Sequence, residues 1–490
     1  MLVHFILWLS LFFFSSEAFA AKLHIIHTND LHSYLESHVD GRGGYAKLKT
    51  KIMELKRWGE AQGAQTLILD AGDWGEGTSF YLVQEGVPSL RAMEMLGIEV
   101  SIIGNHDYMF GGLRLADQLQ MANISTKILS ANLISTPAMK LGPWIKATTD
   151  VTKGPLSIRI IGLSTNEAHY QYPLKPGHIM DPIDVGRAYD KVLNQGMPDL
   201  VIALTHLGYK KDQELAQKTS NIDVIVGGHS HTRLDEILWA TNKKDRQIPI
   251  VQTGAHGLGV GSLLLDITKK KVRTISYQVH DVSQVTLEDG ELKNFVQTLI
   301  ERRADEFEIR FGRKWDEVIA TSDIPLSGYQ NGRRELTTSC WGEHMAKMVS
   351  EATKADIGFH ICAFEGMNIE KGNITFGSIV DNFPHVRKVG DPGWELVRFH
   401  VNGFLLNNIR RFIKSRDNDL GINFWPADMN LHPLKVYKLA MPREIFDALK
   451  ASLPKYLFTL VPTYEKTGIY YWPIMEDYLK KNSPLHCLEK

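Results

Sequence analysis

Five short segments combine carboxylate, amide and imidazole groups at spacings that can hold metal ions. They are Asp30-Leu31-His32, Asp70-Ala71-Gly72-Asp73, Gly104-Asn105-His106-Asp107, Thr205-His206 and Gly228-His229-Ser230-His231. An asparagine carbonyl oxygen can serve a hard or borderline cation. The histidine beside it can instead face a substrate, as an acid or an electrostatic stabiliser. In an extended segment residues i and i+2 point the same way, so His229 and His231 can reach one centre. Taken singly, each segment also reads as a turn, a helix cap or a buried hydrogen-bonded histidine. What sets them apart is the stretch that precedes each one.

That stretch is always a short apolar run. Residues 23–27, 66–69, 100–103, 200–204 and 224–226 are rich in Ile, Leu and Val and stop at polar turns, the signature of buried strands. Helical periodicity separates several of them, as at 45–58, where Leu48, Ile52 and Leu55 share a face, and at 88–96. The alternation predicts an α/β fold. In such sheets sites form beyond the carboxyl ends of the strands, where all five polar turns lie, so they can converge on one cleft. Together they read as a binuclear metal site.

Composition sets the frame. A chain of 490 residues exceeds one compact core, so two domains are expected. With 43% hydrophobic and 23% charged residues it is globular, and a net charge of −1 gives no general electrostatic case for nucleic acid or an anionic membrane. Residues 1–20 read as a secretory signal, with an apolar stretch at 5–14 and Ala18-Phe19-Ala20 as cleavage site; the absence of Lys and Arg before it leaves an uncleaved anchor as the other reading. No later segment has some 18 continuous apolar residues, so a soluble, periplasmic or secreted protein is expected. Cys340, Cys362 and Cys487 are too scattered for a zinc cluster; they allow one disulfide, with Cys340 and Cys362 the nearest pair.

These motifs carry a resemblance. Asp30-x-His32, Gly72-Asp73, Gly104-Asn105-His106-Asp107, His206 and Gly228-His229-x-His231 resemble the five motifs of the calcineurin-like metallophosphoesterases. His27 to His32, Gly43-Gly44-Tyr45-Ala46, Ser130-Ala131-Asn132 and Val251-Gln252-Thr253-Gly254 narrow it to the exported 5′-nucleotidase/UDP-sugar hydrolase branch. The resemblance implies a two-sheet α-β-β-α sandwich at 21–285, a linker at 286–315 and a smaller, divergent α+β substrate domain at 316–490. It also implies two divalent cations, with Asp30, His32 and His231 on one, Asn105, His206 and His229 on the other, and Asp73 bridging them. A mixed N/O shell without thiolate suits Mn²⁺, Zn²⁺ or Fe. His106 would be the catalytic acid or charge stabiliser. Relatives often place an acid or amide three positions beyond this histidine; here Met109 stands there, and Asp107 is the candidate to take over its support.

Between the modules, Leu292, Phe295, Val296, Leu299 and Phe307 form one stripe, so 288–311 reads as a connecting helix packed on a core. The second module departs from the family. Its substrate-binding arginine segment corresponds to 362–368, which contains no arginine, and the glycine-rich segment expected after Tyr437 is missing. Phe424 and Trp425 are the leading candidates to stack on a substrate, with Tyr437 and Phe446 behind them. The expected function is an exported phosphoester hydrolase of 5′-nucleotidase type, cleaving nucleotides or related phosphomonoesters by attack of metal-activated water. The partner would be a small-molecule phosphoester, and the chain a monomer. The rival readings are the same chemistry on a cyclic phosphodiester, nucleotide sugar or sulfur ester, or a metal-binding relic.

Overall fold

The computed structural model describes residues 21–488 apart from 168–169, 269–270, 328, 331–332, 335–339, 389, 415–420, 428 and 453–462. The signal expected at 1–20 lies outside the described residues. Two sheets pack face to face. The first runs, in spatial order, Lys271–Asp281, Gly259–Thr268, Ala21–Thr28, Ala64–Asp70, Val100–Ile102, Lys127–Leu129 and Ile145–Lys146. Its last five strands are mutually parallel. The second runs Leu238–Thr241, Gln247–Val251, Val224–Gly227, Leu200–His206, Leu156–Ser164 and Thr148–Lys153, with its four central strands parallel.

Parallel strands covered on both faces read as largely apolar runs, and these do, with buried His24 and His27 among the exceptions. Leu23, Ile25, Leu67, Leu69 and Val100 meet Ile158, Ile160, Leu200, Ile202 and Val226 between the sheets. On the outer face of the first sheet, Ile26 and Ile68 pack with helices Tyr45–Ala61 and Val87–Leu96. On that of the second, Ile161, Val201 and Ile225 pack with Pro182–Leu193 and Tyr209–Lys218. The result is the four-layer α-β-β-α sandwich expected from the sequence.

Helix Gly290–Phe311 leaves this domain. Asp289 caps it by accepting from the Leu292 N–H at 3.0 Å, and Gly312 ends it in the left-handed region at φ 66°. Leu292, Val296 and Leu299 sit in the core of the first domain and Phe307 in that of the second. The second domain is built on a five-stranded sheet ordered Ile422–Trp425, Ile357–Ile361, Val436–Pro442, Glu395–Asn402 and Glu465–Tyr470. Its core takes in Tyr81, Leu82 and Met109 from the first domain. Arg303 is buried in the seam, its guanidinium 4.3 Å from the ring centres of both Phe80 and Trp315 and 3.1 Å from Glu36 Oε2. Met109, the residue three positions beyond His106, packs in this shared core.

The pairing of the cysteines, open in the sequence, is Cys340 to Cys487, with Cα atoms 5.4 Å apart, and Cys362 is a buried thiol accepting from Asn423. Folding carries the last residues back to the start of helix Cys340–Thr353. One expectation changes: of the stacking aromatics, Phe424 is spent elsewhere. Phe424 is buried against Phe359, ring centres 4.8 Å apart, and Phe446 and Tyr437 are core residues too. Trp425 is half-buried with the Lys347 ammonium over its ring. Among the described residues no helix is long and apolar enough to cross a membrane.

Glu444, in the first turn of helix Arg443–Ser452, is buried with neither carboxyl oxygen hydrogen-bonded; its nearest cation, Arg387, is 3.6 Å away. Burial pushes its carboxyl up to about 7. Because the folded value lies above the unfolded one, stability is full below about pH 4.5 and falls as pH rises toward 7, by on the order of 3 kcal/mol. Glu444→Gln should flatten that fall and raise Tm above pH 7. Calorimetry across pH 5–8 checks this, and parallel pH profiles for variant and wild type would contradict it.

Candidate binuclear metal centre and its acid group

Every motif residue follows the carboxyl end of a parallel strand. Asp30 and His32 follow Ala21–Thr28, Asp73 follows Ala64–Asp70, and Asn105 and His106 follow Val100–Ile102. His206 ends Leu200–His206, while His229 and His231 follow Val224–Gly227. The backbone there is held in a costly conformation: Asp30, His32, Asp73, His229 and His231 have φ values of 52°, 48°, 56°, 80° and 52°. Non-glycine residues rarely adopt positive φ, and such strain persists where the surroundings over-determine it.

Those surroundings are named residues. Asn29 donates to Asp30 Oδ2 and to the Gly254 carbonyl, both at 2.6 Å, and accepts from Thr253 N–H and Oγ1, tying a sixth loop to the centre. Asp70 accepts from Thr28 Oγ1, Ser101 Oγ and the Gly72 N–H, joining three strand ends, and burial raises its carboxyl to about 7. Asp107 accepts from the N–H groups of Asp73, Gly75 and Gly104 at 3.0, 2.8 and 2.7 Å. Asp107 therefore fixes two loops by their backbone and does not support the His106 ring, which corrects the sequence expectation.

The side chains converge on Asp73. His206 Nε2 lies 2.9 Å and His32 Nε2 3.7 Å from Asp73 Oδ2, while Asp30 Oδ1 is 3.4 Å from His231 Nε2 and 3.9 Å from His206 Nε2. Potential ligand atoms of Asp30, His32 and Asp73 all lie within 4.8 Å of one another, as do those of Asp73, His206 and His229. Burial pushes the Asp73 carboxyl up, but His206, His106 and His32 outweigh it and hold it well below the usual carboxylate range.

The donor set suits cations. His32 Nδ1 faces the Glu76 carbonyl at 2.5 Å and His206 Nδ1 the Ala71 carbonyl at 2.7 Å. With Nδ1 donating to a backbone carbonyl, Nε2 is the atom each ring offers to a cation. His32 Nε2 also lies 3.1 Å from His231 Nε2, and the buried Asn105 Oδ1 has no hydrogen-bond partner. Buried acceptors clustered in this way are unfavourable unless something positive sits among them.

Three residues at this centre escaped the sequence reading. Glu76 Oε2 accepts from His106 Nδ1 at 2.9 Å, so it holds the imidazole. Burial would raise the Glu76 carboxyl, but His385 and His106 bring it down to about 2. His256 offers a ring nitrogen within 4.8 Å of those of His32 and His231, and its ring stacks on Tyr34 with centres 4.2 Å apart. His385 comes from the second domain, its Nδ1 2.9 Å from Glu76 Oε1. A carboxylate three residues after Asp73 and a histidine two after Gly254 were the visible signals; His385 had none.

This fold and centre define the class. Residues 23–233 match the family model of the calcineurin-like phosphoesterases. The chain is 32% identical over 276 residues to the 5′-nucleotidase of Diplobatis ommata, covering 51% of this chain and 47% of that one. It spans about half the length of the curated 5′-nucleotidases it matches. The solved 5′-nucleotidase precursor of Thermus thermophilus shares the fold over 96% of this chain and 98% of its own, with TM-score 0.79 and 21% identity. The sulfate thiohydrolase SoxB of the same organism covers 96% of each chain, with TM-score 0.72 and 16% identity. Residues 23–233 thus carry the calcineurin-like phosphoesterase pattern, and the chain is similar in sequence and fold to 5′-nucleotidases.

Proposed function

We propose that this protein is an exported phosphoester hydrolase of 5′-nucleotidase type that works with two divalent cations. The observation that carries the reading is that Asp73 clusters with Asp30 and His32 on one side and with His206 and His229 on the other, with His231 beside Asp30 and His32. Asp30, His32 and His231 would hold one cation, Asn105, His206 and His229 the other, and Asp73 both. When bound, such a pair lowers the pKa of a water and clamps phosphoryl oxygens during in-line attack. The chain supplies the rest. His106, beside the ligands and held through Nδ1 by Glu76, presents Nε2 to the departing oxygen and delivers a proton there. Asp107 keeps the Asp73 and Asn105 loops in register. A panel of 5′-nucleotides, 2′,3′-cyclic nucleotides, nucleotide sugars and an aryl phosphate, run with Mn²⁺, Zn²⁺ and Fe²⁺, tests it. Inactivity throughout, with two metals bound per chain, would support the relic reading instead.

A second reading, the same chemistry on another ester, is favoured by residues 362–368. Gly366 approaches so closely that a Cβ there would lie 2.5 Å from the Asp381 carbonyl and 3.0 Å from the Gly77 carbonyl. This stretch packs one domain on the other and offers no arginine to a substrate. Losing a charged hydrogen bond typically costs about 1.5–3 kcal/mol, and losing one base stack another ~1–3 kcal/mol. We therefore expect kcat/KM for 5′-AMP to exceed that for a simple aryl phosphate by less than about a hundredfold, at about 1.4 kcal/mol per tenfold. Steady-state kinetics on both substrates check this, and a much larger ratio would mean a nucleoside pocket built from other residues.

A further inference from the structure

We infer that His385, a residue of the second domain, positions the acid group of the first domain through Glu76. The two oxygens of Glu76 divide their work. Oε2 takes the proton of His106 Nδ1 at 2.9 Å, and Oε1 lies 2.9 Å from His385 Nδ1. Both partners of this relay are deeply buried, Glu76 at 2% and His385 at 5% exposure. His385 is itself fixed on three sides. Its Nε2 donates to the Phe364 carbonyl at 2.7 Å, its ring stacks on Trp394 with centres 4.9 Å apart, and Phe383 meets it edge-on at 5.2 Å.

The physical consequence concerns orientation. A buried carboxylate held at one oxygen can rotate about its terminal bond, and the unpaired oxygen carries a full desolvation cost. His385 faces Oε1 as a close ion-pair contact at 2.9 Å, without the alignment of a hydrogen bond, and together with the Oε2 bond to His106 it biases the carboxylate and the ring toward one setting. The domain seam does not need His385 for cohesion, because Arg303 and the Ser79 N–H to Asp381 contact, at 3.1 Å, already cross it. His385 is the contact that reaches the acid. The second domain thus completes the proton-delivery apparatus of the first, taking the place of support from position 109, which Met109 cannot give.

The inference rests on the phosphoester-hydrolase reading, and the test separates the two. His385→Asn keeps a donor near the Nδ1 position, whereas His385→Gln keeps one near Nε2 and leaves Glu76 Oε1 unpaired. An alkyl phosphate such as 5′-AMP needs a proton on its departing oxygen, while p-nitrophenyl phosphate expels a stable anion without one. The expected result for His385→Gln is a kcat loss on 5′-AMP at least about tenfold greater than on p-nitrophenyl phosphate, with KM within about threefold and metals per chain unchanged. His385→Asn should recover most of the loss. The double variant with His106→Asn should be no slower than His106→Asn alone, because groups acting as a unit are non-additive. Equal losses on both esters, equal behaviour of the two His385 variants, or additive losses in the double variant would each overturn the positioning role. A wild type inactive on every phosphate ester would overturn the hydrolase reading and this one with it.

Discussion

Replacing Asp73 with alanine should lower kcat/KM by more than about a thousandfold and empty both metal positions at once. Removing one preorganised charge-stabilising donor from an active site typically costs about 10²–10³ in rate. In the proposed arrangement Asp73 serves both cations, so its loss would count twice. Its closest imidazole contact is nearer than that of the neighbouring Asp30: Oδ2 lies 2.9 Å from His206 and 3.7 Å from His32, and Oδ1 accepts the His106 N–H at 2.7 Å. Alanine would leave those groups buried around a hole. Asp73→Asn separates the effects, since the amide keeps the volume and one acceptor while removing the charge. Elemental analysis and kinetics on the same preparations decide the matter. Full activity in verifiably metal-free protein would overturn the assignment of this centre.

How far the sequence disclosed this centre depends on what each residue does. The residues proposed to bind cations follow strand ends, and strand ends are legible because buried parallel strands are largely apolar. Asp30, His32, Asp73, Asn105, His206, His229 and His231 could therefore be read together before any coordinates. Asn29 and Thr253 were legible as flanking motifs, and the structure supplies the reason: they bond to each other across 224 positions of sequence. Supporting residues are a different case. Glu76 stands in a loop with no periodicity, and nothing local indicates that its carboxylate turns toward His106 while Asp107 turns toward backbone N–H groups. His385 becomes relevant only once the second domain is seated, and the Cys340–Cys487 pairing depends on where helix Tyr471–Lys481 brings the chain. Phe424 was misplaced for a related reason: it lies on an edge strand whose inner face closes a core, and residue type alone cannot separate an inner from an outer face.

The same division between ligand and neighbour sets the expectation for His106. His106→Asn should slow turnover by about 10²–10⁴, the usual contribution of a positioned acid–base group, while both metals stay in place. That range corresponds to about 2.7–5.4 kcal/mol of barrier, at 1.36 kcal/mol per tenfold. Metals should stay for structural reasons. The contact from position 106 to Asp73 is made by the backbone N–H, which the substitution leaves untouched, and the buried amide oxygen without a hydrogen-bond partner belongs to Asn105. An asparagine side chain can still donate to Glu76, so the loop keeps its anchor while losing the group able to release a proton. The measurement is metal per chain and kcat on one preparation. If metal falls in step with activity, His106 is a ligand and the division of labour within Asn105-His106-Asp107 has to be redrawn.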